Sequence, residues 1–110
     1  MNRFSVLLAA LTLSLPLAVL AEDIPAFKLT AKDGKFEPST IEVPSGKRFK
    51  LEVVNAGTGA IEFESKPLKQ EKVIAAGASA SLTLGPLKAG SYKFFDDYHE
   101  ATAQGTVVAK

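Results

Sequence analysis

Lys47-Arg48-Phe49-Lys50-Leu51-Glu52-Val53-Val54 alternates apolar and charged side chains. Successive side chains of an extended chain leave opposite faces, so Phe49, Leu51 and Val53 define a buried face and Arg48, Lys50 and Glu52 a wetted one. Immediately upstream, Pro44-Ser45-Gly46 punctuates the chain: proline presets φ, and glycine supplies the positive φ of a type II turn. Thr40-Ile41-Glu42-Val43 precedes that turn as a shorter run of the same kind.

The pattern repeats in both directions. Toward the N-terminus, Phe27 and Leu29 alternate with Lys28 and Thr30, and Asp33-Gly34 is a hairpin signal. Toward the C-terminus, Asn55 to Gly59 reads as a loop, after which Ile61-Glu62-Phe63-Glu64 resumes the alternation with Ile61 and Phe63 inward. Glu71 to Ile74, Ser81 to Leu84, Ser91 to Phe95 and Gly105 to Ala109 continue the series, separated by Gly and Pro. Short runs spaced by about 8–12 residues predict an all-β chain. No stretch carries a helical period. Seven or eight strands without an internal repeat predict a two-sheet Greek-key β-sandwich.

At the N-terminus, Arg3 precedes an apolar stretch from Phe4 to Leu20 that is broken by Ser, Thr and Pro16. This is the pattern of an export signal, with cleavage expected after Ala21 and a mature start at Glu22. A membrane anchor fits less well, because Pro16 interrupts the run and acidic Glu22 and Asp23 follow it without a basic flank. Residues 1–21 are therefore assigned to the signal and residues 22–110 to one domain, with the periplasm as destination. Removing 21 of 110 residues leaves 89, enough for a single thin core.

Composition excludes several functions. Without Arg3 the remaining chain carries 12 basic and 12 acidic residues, so there is no basic excess for nucleic acid. There is no cysteine, which rules out thiolate metal ligands, redox pairs and thiol nucleophiles. Hydrolysis finds no support, since neither a Ser-His-Asp spacing nor a phosphate-cradling glycine loop is present.

The segment from Tyr92 to Val108 holds the chemistry: Tyr-Lys-Phe-Phe-Asp-Asp-Tyr-His-Glu-Ala-Thr-Ala-Gln-Gly-Thr-Val-Val. It resembles the ligand loop of cupredoxins, in which an aromatic strand ends at a Cys ligand, His and Met ligands follow, and a Gly opens the last strand. On that resemblance the Cys position falls on Asp96, the His on His99, the Met near Ala103 and the glycine on Gly105. Phe36-Glu37-Pro38, Val43-Pro44-Ser45-Gly46, Phe49 and Val53-Val54-Asn55 resemble the N-terminal half of the same family. There the loop after the Asn delivers another His; here the corresponding Ala60-Ile61-Glu62-Phe63-Glu64 contains none. The resemblance implies the fold while three of four ligands of a blue-copper centre are missing.

Such a centre needs a thiolate and usually a weak thioether, and the only Met is Met1 in the signal. The matching positions instead offer Glu62, Glu64, Asp96, Asp97, His99 and Glu100, oxygen donors around one imidazole. Such a set suits iron, or copper in a non-blue tetragonal field. Anionic oxygen also stabilises the higher oxidation state, which favours loss of an electron from ferrous iron. With Leu84-Gly85-Pro86-Leu87, Gly90-Ser91-Tyr92 and Phe94-Phe95-Asp96-Asp97-Tyr98-His99, the chain resembles the small periplasmic cupredoxins that accompany oxidase-dependent ferrous-iron permeases. That resemblance implies an inner-membrane iron permease and a periplasmic iron-binding protein as partners.

The metal-ligand candidates are Asp96 and His99 first, Glu62 and Glu64 second, and Asp97 third. Each has a plainer reading. A loop His is commonly solvated, an Asp at a strand end commonly caps a turn, and alternating Glu is ordinary on a wetted sheet face. Asp96 and Asp97 are adjacent on one strand, so one faces the site and the other water. Glu100 has no counterpart among the family's ligands, and Phe95 and Tyr98 read as packing or as a shield. Lys66, Lys69 and Lys72 read as a charged edge that discourages strand addition. The functional expectation is a periplasmic protein that binds ferrous iron and assists its oxidation before transfer to a permease. The alternative is a cupric-ion carrier without redox turnover, and a third is a metal-free surface contact. No catalytic residue is identified, and ferroxidase turnover is left open because no electron acceptor is legible.

Overall fold

The computed structural model describes residues 24–110; the expected signal segment, residues 1–21, lies outside the described residues. Among the described residues nine strands fold into two sheets: β1 Ala26–Lys32, β2 Lys35–Glu37, β3 Thr40–Val43, β4 Phe49–Asn55, β5 Ile61–Ser65, β6 Gln70–Ile74, β7 Ser79–Leu84, β8 Gly90–Asp96 and β9 Gln104–Ala109. One sheet has the order β2-β1-β4-β7 and the other β3-β9-β8-β5-β6. The sandwich expected from alternation is the fold, with one strand more than the upper expectation. The addition is β2, whose three residues place only Phe36 in the core. A single apolar residue between Lys35 and Glu37 offers no period to read.

Local chemistry explains the chain reversals. Asp33 and Gly34 have φ of 53° and 72°, the positive pair of a type I′ turn, and they join β1 to β2. The strand read from residues 47–54 is β4, the centre of the smaller sheet: Phe49, Leu51 and Val53 are buried while Lys50 and Glu52 are exposed. It pairs parallel with β1 and antiparallel with β7. β3 likewise runs parallel to β9. Among the described residues the helical content is one 3-10 turn, Asp97–His99.

Between the sheets lies an aromatic cluster. Phe36 meets Phe63 and Phe94 edge-on, at ring-centroid distances of 6.2 and 5.3 Å, and Phe63 and Phe94 lie 5.3 Å apart. Burying each ring contributes about 2–3 kcal/mol. The Phe94 ring also occupies the space that a side chain on its cross-strand partner Gly105 would need. The glycine that opens β9 is therefore a packing requirement of the core. Lys66 and Lys69 sit in the β5–β6 turn and Lys72 on β6, all exposed, so the edge of the larger sheet carries the charges read from sequence.

Candidate metal centre

Strand β8 ends at Asp96, and its alternation puts Phe94 and Asp96 inward and Lys93 and Phe95 outward. Asp96 is a charged residue only 1 % exposed, so its oxygens must find protein donors. They do. Oδ1 accepts the backbone N–H of Glu62 at 2.9 Å and of Tyr98 at 3.0 Å, and Oδ2 lies 2.7 Å from Nδ1 of His99. Asp96 thus caps the Asp97–His99 turn, the plainer role anticipated for it, and pairs with His99 as well. The His99 side chain is 45 % exposed.

The loop around this pair closes on itself. The Asp96 N–H donates to the Ala103 carbonyl, and the His99 carbonyl accepts the N–H groups of Thr102 and Ala103. Ala103, at the expected Met position, is buried and brings only a methyl group. Gly34 backs the imidazole: a side chain there would stand 3.7 Å from its Cδ2 and 3.1 Å from Thr102 Oγ1. Asn55, at the end of β4, is also buried and fully bonded, donating to the carbonyls of Gly59 and Ile74 and accepting the Gly57 N–H. Together these segments enclose a cavity of about 230 Å³ lined by Asp33, Gly34, Asn55, Thr58, Asp96 and His99 among others.

The other acidic candidates meet on the outer face of the larger sheet. Glu62 and Glu64 project from β5 on the same side, both half-buried, while Ile61 and Phe63 enter the core. Asp97, next to inward-facing Asp96, falls on that outer face, brought beside Glu62 by the β5–β8 register that sets Asp96 opposite Phe63. One carboxylate oxygen from each of Glu62, Glu64 and Asp97 lies within 4.8 Å of the other two. Glu71 stands opposite Glu64 across the β5–β6 ladder. The Glu62 carboxyl is held above the usual glutamate range, chiefly by partial withdrawal from water, then by the charges of Glu71, Asp97 and Glu64, and by a hydrogen bond with Asp97. None of these four acids forms a salt bridge among the described residues.

The five candidates read from sequence therefore form two sets. Asp96 and His99 are bonded to each other; Glu62, Glu64 and Asp97 converge; neither Asp96 nor His99 belongs to the carboxylate group. Glu62 links the sets, its backbone on one and its side chain in the other. Glu71 was not singled out from sequence, and only the register of the β5–β6 hairpin brings it in. Glu100 is exposed and outside both sets; its carbonyl accepts the Gln104 amide. Tyr98 is 51 % exposed, so it does not roof either set.

A blue-copper centre does not fit these residues. Among the described residues there is no thiolate or thioether, both oxygens of Asp96 are engaged, and a hydrocarbon occupies the Met position. The oxygen donors of the outer face fit a hard or borderline divalent cation.

Comparison with known proteins agrees with the fold. A family model described as "Cupredoxin-like domain" matches residues 4–109. An uncharacterized protein of Rickettsia prowazekii (strain Madrid E) is 40 % identical over 87 residues, covering 79 % of this chain and 70 % of that protein. Among solved structures, auracyanin from Roseiflexus castenholzii is similar with a TM-score of 0.64 at 13 % identity, covering 77 % of this chain and 96 % of that one. Amicyanin from Paracoccus versutus gives a TM-score of 0.62 at 15 % identity, with 80 % and 86 % covered. The metal binding domain of the Streptococcus pneumoniae Cu(I)-exporting P-type ATPase CopA, with Cu(I), gives 0.69 at 13 % identity, with 77 % and 84 % covered.

Proposed function

The chain belongs to the cupredoxin-like domain family, and from that premise we propose that it is a periplasmic metal-binding protein that takes up ferrous iron and passes it to a membrane permease. The observation that carries this reading is the convergence of Glu62, Glu64 and Asp97 within 4.8 Å on one sheet face. Like charges gathered without a basic partner repel one another, and a bound cation converts that repulsion into attraction. Oxygen donors select hard or borderline ions over cuprous copper. Open placement on a sheet face suits cargo that must leave again. Carboxylates favour the ferric state, so the same face assists oxidation when an acceptor outside the chain, such as dioxygen, takes the one electron each iron gives up.

The test is an anaerobic titration of the protein with ferrous ion, followed by admission of air. Saturable binding, and ferric formation faster than in protein-free buffer, both lost in a Glu62→Gln, Glu64→Gln, Asp97→Asn triple variant, would support iron handling. Absence of saturable ferrous binding in the wild type would reject it.

A second reading, a carrier of cupric ion, has its own supporting observation: an imidazole at the rim of the neighbouring cavity. Nitrogen beside oxygen donors suits cupric ion. Saturable cupric binding without ferrous binding would select this reading.

A further inference from the structure

Asp96 stands where a metal ligand is expected, but its geometry describes a different task. Oδ1 already takes two amide N–H groups and Oδ2 faces His99 Nδ1 at 2.7 Å. These contacts fill three of about four acceptor directions of a carboxylate. With its side chain 2 % exposed, little of it is left for an ion to reach. As a carboxylate it only accepts, so the hydrogen between the two side chains belongs to Nδ1. The neutral ring must then carry its lone pair on Nε2, for which no hydrogen-bond partner occurs among the described residues.

We propose that Asp96 is a positioning residue: it fixes His99 in the Nδ1–H tautomer and presents Nε2, not Nδ1, as the one nitrogen donor open to a divalent metal ion at the cavity rim. A buried carboxylate behind an imidazole sets the ring's orientation and makes the far nitrogen a better donor. The orientation is over-determined here. Asp96 is anchored by two amide groups 34 and 2 residues away, and Gly34 leaves the ring edge free of a side chain. The metal part of this inference rests on the metal-binding reading above; the tautomer part does not.

Asp96→Asn separates the two. The Asn oxygen must keep the Oδ1 position, because two N–H donors point at it. Its amide nitrogen then faces His99 Nδ1 and donates, which forces the ring hydrogen onto Nε2. In nitrogen-15-labelled protein at alkaline pH, long-range proton–nitrogen correlation should show a protonated Nδ1 and a bare Nε2 in the wild type, and the reverse in the variant. A wild-type ring protonated on Nε2, or a variant with the wild-type pattern, would overturn the assignment of Asp96; the wild-type spectrum decides even if the variant folds poorly. In a second arm, cupric ion alone is added. The bare Nε2 of the wild type should broaden first, and the variant should need at least tenfold more ion for the same effect. A correct tautomer with no response of Nε2 would reject the metal role of His99 while leaving Asp96 as its positioning residue.

Discussion

The Asp96 carboxylate, at the end of β8, accepts the Glu62 backbone N–H of the neighbouring strand β5 at 2.9 Å. One side chain thereby ties the strand that bears the outer acidic face to the loop that bears the imidazole. The same Oδ1 caps the Tyr98 N–H. Replacing Asp96 with Ala removes this shared acceptor from a buried position, and the two stranded donors and lost cap should cost about 2–4 kcal/mol. Asp96→Asn retains Oδ1 and should cost less than half of that. Urea unfolding of the two variants checks this, and an Ala variant as stable as the Asn one would refute it.

Glu62 gives the pH dependence of the acidic face its sign. Its carboxyl is raised in the fold by withdrawal from water and by neighbouring acids, so the folded chain holds a proton over a range where the unfolded chain has lost it. Stability from this group is therefore present below the ordinary glutamate range and is lost as pH rises through the raised value. Glu62→Gln should increase Tm at neutral pH and flatten this part of the profile. Added salt should shrink the gain. A lower Tm for the variant at neutral pH and low salt would contradict the argument.

Gly105 and Phe94 test the core beneath the site. A Cβ on Gly105 collides with the Phe94 ring and approaches the Ser39 carbonyl to 2.8 Å. Gly105→Ala should cost about 1–3 kcal/mol by overpacking. Combined with Phe94→Leu, which frees space, the loss should be smaller than the sum of the single losses, as expected for groups in contact. Strict additivity in denaturant melts would show that the ring is not what excludes the side chain.

How much of this the sequence disclosed follows from the range of the interactions. Alternation over neighbouring residues placed Ile61 and Phe63 inside and Glu62 and Glu64 on the opposite face, and it set Asp96 and Asp97 on opposite sides; the resemblance to the ligand loop picked Asp96 as the inward one. It could not say that Asp97 meets Glu62 and Glu64, because that depends on the pairing of β8 with β5, which sets Asp96 opposite Phe63, and not on a period. Nor could it show that the Asp96 oxygens are engaged, since one donor comes from 34 residues away. The division of the five candidates into two sets is a tertiary fact of this kind. So are the parallel pairings of β1 with β4 and β3 with β9.

The hairpin register supplies the last prediction. Glu71 lies opposite Glu64 but outside the three-oxygen group, so it adds field without a donor atom. A field acting through solvent weakens within a Debye length of about 8–10 Å at moderate salt, whereas a coordinate bond does not. Glu71→Gln should therefore weaken anaerobic ferrous binding by about two- to threefold at low salt, and the effect should vanish at about 1 M salt, where that length is about 3 Å. Glu64→Gln should cost tenfold or more under both conditions, because a neutral amide replaces an anionic donor. Equal losses for the two variants at high salt would mean that Glu71 ligates the ion directly, or that Glu64 does not.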